Sequence, residues 1–122
     1  MADVIVGYCV LDVDDSAVVG LDDGVDYAGS PVTIPSSATG AVINFKTLST
    51  SGQCYFSTNG DDPNPATDEG DVVDDAKVVF AEIIIGKTSE AKGDPGEIRD
   101  FKARCASGGT CRIEVTYMRY ED

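Results

Sequence analysis

With 122 residues, 42% of them hydrophobic, the chain is sized for one domain around one core, and no stretch approaches the ~18–20 apolar residues of a membrane-spanning helix. A net charge of −13 argues against nucleic acid, because every phosphate would meet its own sign. The absence of histidine excludes Ser-His-Asp and Cys-His catalysis within this chain.

Residues 3–13 are rich in Val, Ile and Tyr and read as a first strand, bulged at Gly7; residues 1–13 together form an N-terminal strand or arm. A short strand or ordered loop is expected around Ala17–Val19, and an edge strand over 31–34 that ends at Pro35. The run 41–46 is the clearest strand of the middle, with Ala41, Ile43 and Phe45 on its buried face. In the next run, 53–58, Cys54 and Phe56 face one way and Tyr55 the other, so the two runs read as a hairpin.

Residues 59–77 carry two prolines and many turn formers and read as an acidic surface loop. Residues 78–85 follow as a strand whose isoleucine run predicts burial on both faces. After a polar loop over 87–96, residues 97–120 alternate apolar and polar on either side of Ala106-Ser107-Gly108-Gly109-Thr110. That pattern predicts a terminal hairpin with Cys105 opposite Cys111, Ala103 opposite Ile113, and Phe101 opposite Val115. Directly opposed cysteines of antiparallel strands lie within disulfide reach, so Cys105 and Cys111 are a candidate disulfide or a pair of buried thiols. Cys9 and Cys54 read as small buried apolar residues, and no spacing signals zinc.

No helical stripe with caps is present. The expected fold is therefore all-β: a single antiparallel β-sandwich of 6–8 short strands spanning 1–122, Ig-like or jelly-roll-like, with a small barrel as the other closure.

The charge is uneven. Residues 1–75 hold 14 acids and one base, Lys46, whereas residues 76–122 hold 8 of each. Solubility and repulsion between copies are the plain reading. Calcium is the sharper one: the stretch Asp12 to Gly24 lacks EF-hand spacing, whereas Asn59, Asp61 and Asp62 offer oxygens from one loop, with Asp68, Glu69 and Asp71 beyond, though nothing in the spacing demands a metal. Two carboxylates can hydrolyse a glycoside, yet acids in exposed loops lack the burial that raises a general acid's pKa. Neither enzymatic activity nor a cofactor is expected. The first fifteen residues lack a basic n-region and are interrupted by Asp3, so synthesis and folding in a cytoplasm are expected.

What remains for function is surface. Val4, Ile5, Val6, Tyr8, Tyr55 and Tyr120 are the candidate partner-binding residues, as outward aromatics or as a strand that adds to a neighbour's sheet.

Four pieces of the chain, taken in order, resemble a family of small tailed-phage structural proteins: Thr39-Gly40-Ala41-Val42-Ile43-Asn44-Phe45, then Cys54-Tyr55-Phe56-Ser57-Thr58, then the loop Asn59-Gly60-Asp61-Asp62-Pro63-Asn64-Pro65-Ala66-Thr67, and last Ile98 to Tyr120. The resemblance spans roughly residues 32–120; the chain departs from the family by an insertion near 86–97, by its acidity and by its cysteines. It implies a β-sandwich on the virion with no catalytic residues. The expected role is a head decoration (cement) protein that binds the major capsid protein and stabilises the shell, clustered as a homo-oligomer where it sits on a symmetry axis. A neck, tail or connector component is the alternative within that family. A carbohydrate-binding adhesin module, using outward tyrosines and a loop calcium, is the alternative outside it.

Overall fold

The computed structural model describes residues 2–48, 53–67, 69–74, 81–88 and 98–121. Among the described residues eight strands run in the order β1 (Ala2–Val13), β2 (Val19–Gly20), β3 (Gly40–Leu48), β4 (Gln53–Ser57), β5 (Asp71–Asp74), β6 (Ala81–Gly86), β7 (Lys102–Cys105) and β8 (Cys111–Glu121). They form two four-stranded sheets, β1-β8-β3-β6 and β2-β7-β4-β5, and every pairing is antiparallel. The expected antiparallel β-sandwich is the observed fold.

The pairings follow a rule. β1 pairs with β8, β2 with β7, β3 with β6 and β4 with β5. This is a long two-stranded ribbon, folded at β4 and β5 and then rolled, so that β8 also meets β3 and β7 also meets β4. Of the two sandwich types expected, this strand order is that of a jelly roll.

Period-2 alternation fills the space between the sheets. Cys9, Leu11 and Val13 of β1, Ala41, Ile43 and Phe45 of β3, and Ile113, Val115 and Tyr117 of β8 point inward. Cys54 and Phe56 of β4 and Ala103 and Cys105 of β7 meet them from the other sheet, joined by Leu21, Ile98 and Phe101. Each such large side chain contributes about 1.5–3 kcal/mol on burial. Phe45, Phe56 and Phe101 gather with ring centroids 5.2–6.4 Å apart, within the range where aromatic pairs attract beyond their buried area.

Several expectations need correction. The terminal hairpin is not a hairpin: β7 and β8 lie in different sheets, and residues 106–110 arch from one to the other. The pairing of 41–46 with 53–58 fails in the same way, because β3 and β4 are also in different sheets. The physical reason is shared. Alternation fixes which side chains face the core, and an arch and a hairpin both bring two inward faces together. In an arch those faces meet across the core rather than side by side along one sheet. The predicted inward residues Phe101, Ala103, Ile113 and Val115 are therefore all buried although their predicted partners are wrong.

Residues 31–34 contribute one isolated bridge, Val25 to Pro31, and no strand. The acidic stretch 59–77 includes a strand, β5, paired to β4. β6 is an edge strand, so Ile85 is buried while Ile83 and Ile84 are only half-buried; the isoleucine run does not report burial on both faces. Residues 78–80 and 89–97 lie outside the described residues. The expected bulge at Gly7 is present, as a register shift between Ile5 and Gly7.

Candidate functional site

The outer face of the β1-β8-β3-β6 sheet gathers the exposed apolar surface. Register places its outward residues in rows across the strands. Ile5 stands opposite Met118, and Tyr8 opposite Thr116, which in turn faces Val42 and then Ile84. One row on come Val10, Glu114, Asn44 and Glu82, then Asp12 and Arg112. The large hydrophobics exposed on the described surface are Ile5 at 51%, Tyr8 at 61% and Tyr27 at 74%, and the first two lie in these rows.

Tyr27 reaches the same face from a loop. Val25 exchanges two backbone hydrogen bonds with Val10 at the edge of β1, 2.7 and 3.0 Å. This extra rung covers Val10, which is 2% exposed although it points outward. The chain then turns over Asp26, whose carboxylate accepts from the backbone N–H groups of Ala28 and Ser30, both 2.9 Å. The turn lifts Tyr27 beside Tyr8, and the two border a recess of about 190 Å³ with Asp26, Asn44, Glu114 and Thr116. The Glu114 carboxylate beside it pushes the Tyr27 hydroxyl above its ordinary pKa. An apolar, aromatic centre thus stands beside the carboxylates of Asp26 and Glu114, with Glu82 further along the Glu114 row and Arg112 ion-paired to Asp12 one row on.

The sequence-predicted residues divide. Ile5 and Tyr8 are exposed on this face, whereas Val4 and Val6 are half-buried and Val6 packs on the core. Tyr120 is half-buried, with the Lys87 ammonium 5.2 Å from its ring centroid and its backbone N–H donating to Thr39 Oγ1 at 2.9 Å. Tyr55 does not reach the surface: it points away from the core on β4 but is 7% exposed. Asn64, Pro65 and Ala66 border a recess with Gln53 and Arg104, the neighbours of Tyr55 along and across the sheet, so the acidic loop lies over that face.

Sequence reasoning missed Tyr27. Its signal was the Asp26-Tyr27-Ala28-Gly29 turn, with Gly29 at φ 89°, which presents the residue after the aspartate at a loop tip.

Of the calcium candidates, Asn59 and Asp61 hydrogen-bond to each other. Asn59 Nδ2 donates to Asp61 Oδ2 at 3.2 Å, and the Asp61 backbone N–H donates to Asn59 Oδ1 at 3.1 Å. The Asp61 carbonyl accepts from Ser57 Oγ, Asp62 is exposed, and Glu69 accepts from Thr67 Oγ1 at 2.6 Å. Among the described residues no three carboxylates or thiols are arranged to hold a metal ion; Asp68 lies outside them. Many acids hold turns instead: Asp14 accepts from the N–H and hydroxyl of Ser16, which keeps its carboxyl below the usual range, and Asp23 accepts from the Gly20 N–H.

All four cysteines are buried free thiols. The candidate Cys105–Cys111 disulfide is corrected with the hairpin that suggested it: Cys105 stands opposite Cys54, and Cys111 opposite Val13 and Leu48. The thiols donate to backbone carbonyls, Cys54 to Tyr55 at 3.9 Å, Cys105 to Val13 at 3.5 Å and Cys111 to Arg112 at 3.8 Å, and the neighbouring Cys105 and Cys111 thiols together with burial raise the pKa of Cys54. Cys9 sits apart, its Sγ 3.6 Å from the Tyr117 hydroxyl.

No family model, curated protein or solved structure matches the chain.

Proposed function

We propose that this is a non-catalytic structural module, a decoration protein of a phage head, which docks on the shell through the outer face of the β1-β8-β3-β6 sheet. The observation that carries the reading is the exposed set Ile5, Tyr8 and Tyr27 on one face beside the carboxylates of Asp26 and Glu114. Large exposed side chains grouped together are the usual anchors of a protein interface, and tyrosine is prominent among them. Those carboxylates and the net charge of −13 favour a basic-rimmed partner over a second copy. Copies are then brought together by the symmetry of the shell rather than by contacts among themselves. The jelly-roll order supports the reading by analogy alone, because viral capsid domains use it and so do lectins. The residues of 39–45, 54–67 and 98–120 that resemble phage structural proteins add to it.

The test is copy number, read by mass spectrometry of purified particles against the major capsid protein. Hundreds of copies per particle are expected. A handful would move the chain to the neck or tail, and its absence from particles would overturn the virion reading.

One observation favours a second reading, carbohydrate binding. Tyr8 and Tyr27 border a recess that also presents Asn44 and Glu114, a stacking surface beside hydrogen-bonding groups. Glycan-array binding that is lost in Tyr8→Ala would favour it over docking on a shell.

A further inference from the structure

The reactive chemistry that the docking surface leaves unused is the thiol cluster at the 106–110 arch. We propose that Cys54 and Cys105 are an oxidisable cross-strand pair, which a small-molecule disulfide converts to an internal disulfide, while Cys111 faces them as a third thiol that stays reduced.

Register carries the choice of pair. The Ala106 backbone N–H donates to the Gln53 carbonyl at 2.9 Å, so Gln53 and Ala106 form a hydrogen-bonded rung between β4 and β7. The Cys105 N–H points the other way, to the Asp14 carbonyl at 3.0 Å. Cys54 and Cys105 are therefore the adjacent rung without mutual backbone hydrogen bonds. In such a rung Cα atoms lie about 4.5 Å apart, inside the ~4.4–6.8 Å span of disulfides. Both side chains point into the core, at 0% and 1% exposure, so no rotation of a strand is needed to bring the sulfurs together.

The competing pairs are worse placed. Cys111 lies on β8 in the facing sheet, and packed sheets run about 10 Å apart, beyond the Cα span of a disulfide. Cys54–Cys111 and Cys105–Cys111 bonds would each draw the two sheets together. Cys9 is engaged with Tyr117 instead.

The chemistry balances without any metal or enzyme. Both thiols are buried, so a reagent reaches Cys105 through local opening of the β7 end next to the 106–110 arch. The Cys105 thiolate attacks the external disulfide, forming a mixed disulfide and expelling one thiolate. Cys54, giving up its proton, attacks the Cys105 sulfur of that mixed disulfide and expels the second. Two protein thiols are oxidised and one external disulfide is reduced to two thiols.

The experiment uses the folded full chain with oxidised glutathione, followed by acid quench, alkylation and tryptic mapping without reduction. Cleavage after Lys46, Lys77, Arg104 and Arg112 places Cys54 in peptide 47–77 and both Cys105 and Cys111 in peptide 105–112. The expected product is 47–77 linked to 105–112, lost in Cys105→Ser and kept in Cys111→Ser. Fragmentation of the linked peptide between Ala106 and Thr110 locates the bond in the unaltered chain, should a variant fail to fold. A bond from Cys54 to Cys111, an unlinked peptide 105–112 two hydrogens lighter, glutathione adducts alone, or no reaction would each overturn the proposal.

Discussion

Phe45 of β3 and Phe56 of β4 meet across the sandwich with ring centroids 5.2 Å apart, one ring from each sheet. Phe101 completes the group at 6.1 and 6.4 Å, and its side chain is fully buried. The packing of these rings holds the sheets face to face here. Phe45→Ala should cost about 3–5 kcal/mol, the range for emptying an aromatic site in a core. Ile84→Ala, half-buried on the outer face, should cost clearly less. Urea midpoints of the two variants check this; equal losses would mean that the aromatic group is not the centre of the core.

Docking and folding should separate at Tyr8 and Tyr27. Both are more than half exposed, so alanine at either should leave stability within ~0.5 kcal/mol of the parent. Binding to the partner should fall about tenfold or more for each, as for aromatic interface anchors. Tyr55→Ala should do the reverse, destabilising the fold beneath the acidic loop. Binding to purified shells, measured beside thermal melts of the same variants, distinguishes the two outcomes. Unchanged occupancy for both Tyr8→Ala and Tyr27→Ala would move the docking surface elsewhere.

These residues also show how far the sequence could be read. Alternation identified the inward faces of β3, β4, β7 and β8, and Gly7 marked the bulge. Nothing local distinguishes an arch from a hairpin, because Ala106–Thr110 is a turn sequence in either case. The order of strands depends on which distant faces meet, and that is decided by the whole core. The candidate site was legible where exposure follows from alternation, at Ile5 and Tyr8. It was not legible at Tyr55, which alternation turns outward but a distant loop covers, or at Tyr27, which reaches the sheet only because Val25 pairs with Val10.

Alkaline pH should unfold the protein through Cys9 and Tyr117. Burial raises both groups above their ordinary values of 9.0 and 10.0, and only for Cys9 does the mutual hydrogen bond act the other way. Arg99 lowers the Tyr117 value and Asp22 raises it, both less than burial does. With folded pKa values above unfolded ones, the unfolded chain releases protons first. Stability should be complete below about pH 9 and fall as pH rises through the folded values. Denaturation midpoints from pH 7 to 11 test this, and Tyr117→Phe should flatten the decline. Asp14 works at the other end: its lowered pKa gives stability above the ordinary 3.8 that is lost as pH falls through the folded value.

Gly86 and Thr39 set the last prediction, because they close the end of the sheet where β3, β6 and β8 meet. The Thr39 N–H donates to the Met118 carbonyl at 2.8 Å, and the Lys87 N–H donates to the Thr39 carbonyl at 2.7 Å. Thr39 Oγ1 donates to the Lys87 carbonyl at 2.7 Å and accepts from the Tyr120 N–H at 2.9 Å. Gly86 permits the crossing: its φ is 71°, and a Cβ there would lie 2.5 Å from the Thr39 carbonyl oxygen. Gly86→Ala thus adds a clash with backbone to the cost of a left-handed residue. Gly29→Ala provides the comparison, since φ is 89° but no atom lies within 4 Å of its Cβ. The conformational cost alone is about 1–2 kcal/mol. Gly86→Ala should exceed Gly29→Ala by a margin readable in urea midpoints, and amide exchange at Lys87 and Tyr120 should accelerate only in the former. Equal costs would mean that the strand ends yield without strain and that Thr39 does not fix their crossing.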